Sequence, residues 1–318
     1  MSAPKAISIA LLVADTPPRP VVEKVGDYKV IYPNFLESSL ESVARHAWQE
    51  KVELQIRPYD VVDKMEYPDE GQLRDGLWDA IMITGSASSA TQELAWNVKL
   101  AEFIRRTAED HPLVRIIGIC YGHQIIARAF GAKVEENEKG WELSTTEVEL
   151  NEEGQELLNY KPDEGIMRIQ QVHKDHVSQV PPSFQGEDFI NLGSTGKSPI
   201  QALALRYPTE APPLASTAST SAYMAFDISD SGTSSSGPSP VRSLHVLTFQ
   251  GHPEFNQEIV ELILSVKTEM GQVTGEKLEE ALSKASLAHD GTKLGRVILN
   301  MLGVEAARTE SGDEMINV

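Results

Sequence analysis

Cysteine is almost absent from this chain of 318 residues, in which Cys120 is the single example. One cysteine cannot form a disulfide within the chain, which is typical of a reducing compartment, so we expect a cytoplasmic location. Positive charge is also scarce, with 28 Lys and Arg against 47 Asp and Glu and a net charge of −19. Nucleic acids and anionic membranes attract basic patches, so this balance argues against both as partners.

Long hydrophobic runs are missing as well, because no stretch reaches the roughly 20 apolar residues that cross a bilayer as a helix. The apolar run 6–14 follows Lys5 and superficially resembles a short signal sequence. We interpret it instead as the first buried strand of a parallel sheet. Hydrophobic residues still make up 41 % of the chain, enough for one large α/β domain or two small ones.

Predicted strands alternate with predicted helices along the chain. Asn34 is predicted to cap the first helix, with Glu37 three residues later in capping-box position. The other helices are predicted over 93–108, after residue 120, and over 152–159, 256–270, 277–287 and 293–302. The strands are predicted over 7–13, 52–56, 80–83, 113–119, 141–150, 166–172, 189–192, 200–205 and 244–249. This alternation implies parallel pairing with helices on both faces of the sheet.

The segment from Pro208 to Pro240 differs in composition, being rich in Ser, Thr, Ala and Pro without any Lys or Arg. It has few residues to bury, so we predict an excursion from the fold with a short strand at 223–228. A functional alternative is that its serine cluster is phosphorylated. We assign 1–270 to one domain that includes this excursion. Residues 271–318 are assigned to a C-terminal helical extension and a polar tail.

The stretch around Cys120 carries the strongest chemical signal. Gly118 and Gly122 flank the cysteine between an apolar strand and a helical pattern, which is the form of a nucleophile elbow. Residues without a Cβ relieve the crowding of such a turn, and the helix N-terminus favours a thiolate. A lone cysteine is more often a small buried hydrophobe, but here the strand, glycines and helix together favour a nucleophile.

Three more motifs follow predicted strands. Thr84-Gly85-Ser86 ends one of them, where the N–H of Gly85 is expected to face an oxyanion together with the N–H of Tyr121. His173-Lys174-Asp175-His176 ends another; its two histidines suggest metal ligands, but no cysteine or second pair supports them, and we expect no metal. Gln250-Gly251-His252-Pro253-Glu254 ends the last, where the Glu254 carboxylate either orients an imidazolium or is merely solvated.

In this order the motifs resemble the class I glutamine amidotransferase family. The resemblance covers about Ala80 to Phe255 and is carried by Thr84-Gly85-Ser86, Gly118-Ile119-Cys120-Tyr121-Gly122-His123-Gln124 and Gly251-His252-Pro253-Glu254. It implies a flavodoxin-like fold, a three-layer α/β/α arrangement around a mostly parallel sheet. The Gly140-Trp141-Glu142 stretch is more similar to the stand-alone branch, which includes γ-glutamyl peptidases.

The resemblance also implies roles for individual residues, without a cofactor or a metal. Cys120 would attack the amide carbon of a γ-glutamyl substrate, His252 would act as acid and base, and Glu254 would orient it. The implied oxyanion donors are Gly85 and Tyr121. The implied substrate-binding residues are Gln124, Ser86, His173 and Asp175.

Three functions remain open from the sequence alone. The first is a stand-alone cysteine amidohydrolase that cleaves glutamine or a glutathione-type conjugate. The second is a glutaminase subunit that supplies ammonia to a separate synthase, and the third is a catalytically idle binding protein of the same fold. We expect a small-molecule γ-glutamyl substrate, with a synthase or a second copy of the chain as possible partner.

Overall fold

A nine-stranded sheet runs through the computed structural model, which describes residues 5–43, 51–208, 211–214 and 239–304. Its strand order is β2-β1-β3-β4-β11-β10-β9-β6-β7, and β5 pairs with β8 in a separate ribbon. The strands are β1 Lys5–Val13, β2 Val52–Asp60, β3 Ala80–Ile83, β4 Arg115–Ile119, β5 Val134–Glu136, β6 Glu142–Leu150, β7 Ile166–His173, β8 Asp175–Val177, β9 Ile190–Ser194, β10 Ala202–Arg206 and β11 Leu244–Phe249.

Helices cover both faces of this sheet. They are α1 Arg19–Lys24, α2 Tyr28–Glu41, α3 Glu70–Arg74, α4 Ala95–Asp110, α5 Tyr121–Ala129, α6 Glu152–Leu157, α7 Gln257–Glu269, α8 Glu276–Ala285 and α9 Gly291–Met301. A short 3₁₀ turn at Pro240–Ser243 leads into β11. No helix among the described residues is both long and apolar enough to cross a bilayer.

The parallel half of the sheet, β2-β1-β3-β4-β11, has the strand order of a flavodoxin-like fold. Strand β3 shows why its sequence is continuously apolar. Ala80 and Met82 pack in the core on one face, whereas Ile81 and Ile83 pack in the core on the other. A strand covered on both faces needs no polar alternation, so the predicted three-layer α/β/α architecture is confirmed.

The other half of the sheet is antiparallel and extends the parallel half through β10, β9, β6 and β7. Its last strand, β7, ends at His173 and leads directly into β8. The ribbon of β5 and β8 lies beside α5. This extension therefore brings the His173 segment to the end of the sheet at which the parallel strands finish.

The predicted start of the first long helix is wrong. Helix α2 begins at Tyr28, with the side chain of Asp27 accepting a hydrogen bond from the N–H of Lys29 at 3.0 Å. Asn34 lies inside the helix, directly after Pro33. The buried side chains of the first turns, including Tyr28, outweigh the backbone hydrogen bond that a proline removes.

The C-terminal helices pack on the same core as the sheet. Leu294 and Ile298 of α9 are fully buried in the core cluster that contains α2, and a Cβ at Gly295 would lie 2.0 Å from Ser39 Oγ. The domain division after residue 270 stays a prediction. The strand predicted at 223–228 and most of the predicted excursion lie outside the described residues.

Candidate active site

Cys120 lies in a sharp turn between β4 and α5. Its backbone has φ +53° and ψ −104°, a conformation that side chains with a Cβ rarely adopt. A Cβ at Gly118 would lie 2.6 Å from the carbonyl oxygen of Gly122, and one at Gly122 would lie 2.4 Å from that of Ile83. Glycine is required at both positions, because each backbone approaches another backbone there.

His252 and Glu254 follow β11, the strand beside β4. The N–H of His252 donates to the carbonyl of Gln170 at 2.7 Å, which attaches this loop to β7. Nδ1 of His252 lies 2.8 Å from Oε1 of Glu254. The ring of Phe255 stacks on the imidazole, with 3.9 Å between centroids and an interplanar angle of 4°. Three contacts therefore hold the imidazole in place: the backbone hydrogen bond to Gln170, the hydrogen bond of Nδ1 to Glu254 and the stacked ring of Phe255.

Charge as well as geometry joins His252 to its neighbours. Burial alone would lower the pKa of His252, but the negative charges of Cys120 and Glu254, and hydrogen bonds to both side chains, raise it to about 10. Since Nδ1 is directed at Glu254, Nε2 is the nitrogen left to face the sulfur. The arrangement favours the protonated imidazole at neutral pH.

Gly85 lies against this pair but is differently bonded than the sequence predicts. A Cβ there would lie 2.7 Å from Cε1 of His252. Its N–H donates to the hydroxyl of Tyr32 at 2.9 Å, so this N–H is occupied in the structure, and its role as an oxyanion donor stays a prediction. Burial and the charge of Glu254 raise the Tyr32 pKa, which keeps the phenol neutral. The N–H of Tyr121 is at the first position of α5, where a helix offers no acceptor.

Ser86 begins a loop that closes on the end of β1. Its Oγ donates to Oδ2 of Asp15 at 3.2 Å and accepts from the N–H of Ser88 at 3.0 Å. The N–H of Ala87 donates to the same Asp15 oxygen at 2.7 Å. The side chain of Ser86 therefore shapes the loop, and both Ser86 and Asp15 line the cavity above Cys120.

The remaining predicted binding residues meet on the opposite wall. Nε2 of Gln124 donates to the carbonyl of Asp175 at 2.8 Å, and Nδ1 of His173 donates to the same carbonyl at 2.9 Å. The carboxylate of Asp175 accepts from Ser89 Oγ. The structure therefore brings Gln124, His173 and Asp175 together around one backbone carbonyl. His176, the second histidine of the motif, contacts Asn137 instead.

Glu142, at the start of β6, is the buried carboxylate behind this wall. Its oxygens accept from Thr195 Oγ1 at 2.6 Å, Ser198 Oγ at 2.5 Å and Gln201 Nε2 at 2.8 Å. Oε2 also lies 3.2 Å from Nε2 of His173. Burial would raise the pKa of Glu142, but His173 and the hydroxyl donors lower it to about 2. The carboxylate stays charged and holds His173 in place.

These residues surround a cavity of about 580 Å³, within the range of small-molecule sites. Cys120, Gln124, His173, Asp175, Ser86 and His252 all line it, whereas Glu254 lies behind His252. Among the residues that the structure describes, no three His, Cys, Asp or Glu side chains are grouped as metal ligands would be. A cysteine, an imidazolium and a helix N-terminus at one cavity suit acyl transfer through a thioester.

Sequence reasoning missed three residues of the site. Tyr32 and Lys267 carry no local motif, because each enters from a helix remote in sequence from Cys120. Glu142 belongs to the Gly140-Trp141-Glu142 stretch, whose similarity to the stand-alone branch of the family indicates no role for the carboxylate. The strand itself offered no signal for its burial, because Glu147 and Glu149 of the same strand are exposed.

Comparison with known proteins gives a consistent result. The family model for glutamine amidotransferase class-I matches residues 31–209. A glutamine amidotransferase-like protein of Schizosaccharomyces pombe is 30 % identical over 296 residues, which cover 92 % of this chain and 98 % of that protein. Gamma-glutamyl peptidase 3 of Arabidopsis thaliana is 27 % identical over 224 residues, covering 69 % of this chain and 72 % of the peptidase.

Solved structures agree on the fold. A glutamine amidotransferase of Thermotoga maritima superposes with a TM-score of 0.56 at 13 % identity, covering 93 % of this chain and 96 % of that one. A glutamine amidotransferase of Methylobacillus flagellatus gives 0.55 at 15 % identity, covering 97 % and 98 %. Both likenesses extend over almost the whole length of each chain.

Proposed function

Because this chain belongs to the glutamine amidotransferase class-I family, we propose that it is a stand-alone cysteine-dependent amidohydrolase that acts on γ-glutamyl amides. Its substrate would be glutamine or a glutathione-type γ-glutamyl conjugate. The observation that carries the proposal is the position of His252, which is hydrogen-bonded to Glu254 through Nδ1 and lines the same cavity as Cys120. Acyl transfer requires a nucleophile, a base beside it and a third group that orients the base, and Cys120, His252 and Glu254 would fill these roles in that order.

In the acylation step the thiolate of Cys120 attacks the γ-carbonyl carbon, and the carbonyl oxygen becomes negatively charged. The N–H of Tyr121 is available to that oxygen. A second donor, Gly85, becomes available only when its hydrogen bond to Tyr32 opens. His252, as imidazolium, gives its Nε2 proton to the departing amine, and the C–N bond breaks to leave a γ-glutamyl thioester.

In the deacylation step a water molecule takes the place of the amine. The now neutral His252 removes a proton from that water, which attacks the thioester carbon and releases glutamate with the thiolate restored. The charge of Glu254 stabilises the imidazolium formed on the way. Gln124, His173 and Asp175 supply polar groups on the wall where the amino acid end of the substrate would be held.

A second function is favoured by one comparison. A glutamine-hydrolyzing GMP synthase subunit of Pyrococcus abyssi is 43 % identical over 72 residues, which cover 23 % of this chain and 36 % of that protein. A chain that supplies ammonia to a synthase would hydrolyse glutamine by the same steps. Copurification of a synthase, with glutamine turnover that rises when it binds, distinguishes this function from a stand-alone hydrolase.

The proposal is tested by the release of glutamate from glutamine, glutathione and a glutathione conjugate. Cys120→Ala should leave almost no activity, because the chain has no other thiol. His252→Ala should be nearly as severe, since it removes the proton donor. Glu254→Gln keeps an acceptor but removes the charge, and should lower turnover by about 10- to 1000-fold.

Intact-mass analysis provides the direct observation of the intermediate. Protein mixed with substrate at low pH should gain one γ-glutamyl group, and Cys120→Ala should not. Wild-type protein that binds a γ-glutamyl amide without ever releasing glutamate would overturn the hydrolase and favour the idle binding protein.

A further inference from the structure

One wall of the cavity carries an ammonium group that the chemistry above does not use. Lys267, near the end of α7, lies with Nζ 3.9 Å from the centroid of the Trp141 ring. Both side chains line the cavity that contains Cys120. The other contact of Nζ is Oε1 of Gln272, at the long distance of 3.5 Å.

Lys267 has no ionic partner within the described part of the chain. The other lysine of the cavity, Lys174, differs because its Nζ lies 2.5 Å from a carboxylate oxygen of Glu136. Burial lowers the pKa of Lys267, and the charge of Cys120 raises it. A partly desolvated ammonium without a counter-ion gains from a bound anion, which restores the stabilisation that water would have given.

Trp141 restricts where the ammonium group of Lys267 can bind a ligand. The indole face attracts the cation and holds it from one side. An ammonium has three N–H donors, and the ring and Gln272 engage only part of them. The remaining donor is available to a ligand in the cavity that both side chains line.

Lys267 lines the cavity from α7, an element that carries none of the predicted glutamyl-binding residues. His252 must reach the departing nitrogen, so the leaving group lies beside the imidazole. Phe255 stacks on that imidazole and lines the cavity, as do Ile263, Val266 and Lys267 of α7. The polar groups that suit the glutamyl end belong to other elements, α5 and the β7–β8 segment.

We propose that Lys267, held over Trp141, binds a carboxylate carried by the leaving amine, so that the site selects γ-glutamyl peptides such as glutathione over glutamine. The leaving group of glutamine is ammonia, which has neither a carboxylate nor an apolar part for Phe255, Ile263 and Val266. The leaving group of a γ-glutamyl peptide has a carboxylate. In a glutathione conjugate, the substituent on the cysteine can supply the apolar part. This inference rests on the proposed function and names its substrate class.

The test compares glutathione with glutathione whose glycyl carboxylate is blocked as an ethyl ester. Wild-type protein should cleave glutathione with a kcat/KM about 10- to 100-fold above that of the ester, as expected for one charge-assisted hydrogen bond. Lys267→Met should abolish this ratio, mainly through KM, since the contact forms in the ground state as well. Lys267→Arg should retain most of it.

Lys277→Met is the matched control, because it removes one exposed lysine from α8, the helix after α7. It should leave the ratio between the two substrates as in the wild type. Any effect of lost charge on the Cys120 thiolate acts on both substrates equally and cancels in the ratio. An equal kcat/KM for the two substrates in wild type, or a ratio that survives Lys267→Met, would overturn the inference.

Titration calorimetry on the Cys120→Ala background separates this inference from the hydrolase proposal. Tighter binding of glutathione than of its ester, lost in Lys267→Met, supports the carboxylate site even when the wild type releases no glutamate. Equal binding of the two compounds refutes the site, whatever the wild-type activity. Thermal melts of each variant establish that the differences come from folded protein.

Discussion

Replacing Glu142 by Gln gives the sharpest test of the buried network behind the cavity. The neighbours of Glu142 lower its pKa from 4.5 to about 2. A shift of that size, at about 1.4 kcal/mol per unit, corresponds to roughly 3 kcal/mol of stability when the carboxylate is charged. Glutamine replaces one acceptor oxygen by a donor opposite Ser198 and Gln201, so the loss should be at least of this order, about 3 kcal/mol.

The sign of the pH dependence follows from the lowered pKa. The contribution is present above pH 4.5, where the unfolded carboxyl is also charged, and is lost as the pH falls towards 2. Urea denaturation followed by tryptophan fluorescence, from pH 7 downwards, measures the difference between wild type and Glu142→Gln. That difference should be about 3 kcal/mol at pH 7 and shrink below pH 4.5.

Glu147 on the same strand provides the matched control. Its carboxylate pairs with Arg168 at 2.7 Å, but both side chains are largely exposed, at 61 % and 50 %. Glu147→Gln should therefore change the free energy of unfolding by less than about 1 kcal/mol. A Glu142→Gln variant that loses no more than this control would refute the reasoning.

Three further predictions concern the residues around the sulfur. Cys120→Gly should be more stable than Cys120→Ala by about 1 kcal/mol in urea denaturation, because glycine relieves the strain at φ +53°; a less stable glycine variant would contradict it. Gly85→Ala should lower glutamate release at least about 10-fold with an unchanged melting temperature, since its Cβ would lie 2.7 Å from His252; full activity would show that the ring moves freely. His252 should stabilise the fold fully below pH 6.5 and lose that contribution as the pH rises through about 10, its raised pKa; a stability difference between wild type and His252→Ala that grows above pH 8 would disprove this.

Much of the fold was predictable because its central strands are apolar runs that end in chemically distinctive residues. The strands Ala80–Ile83 and Leu244–Phe249 were predicted with the bounds that the structure has. Their side chains are buried on both faces, so neither strand depends on a distant pattern to be recognised. Short elements were missed, among them Glu70–Arg74 and Asp175–Val177, because a few residues carry too little periodicity.

The error at Asn34 has a different cause. A capping signal is local and weak, whereas the burial of Tyr28, Ile31 and Tyr32 against the sheet is worth several times more. Tertiary packing extended the helix through Pro33 and so placed Tyr32 beside Gly85. No pattern within α2 indicates that contact.

The sequence by itself determined the parallel core and the turn at Cys120, because glycine spacing and apolar runs act through local sterics and burial. It also brought His252 and Glu254 to the same end of the sheet as Cys120, since adjacent parallel strands finish together. Only the tertiary structure decided which side chains surround the sulfur. The contact of Tyr32 with Gly85, the burial of Glu142 behind His173 and the stacking of Lys267 on Trp141 join residues far apart in the chain. Such contacts depend on how helices and strands pack, and that is a property of the whole fold.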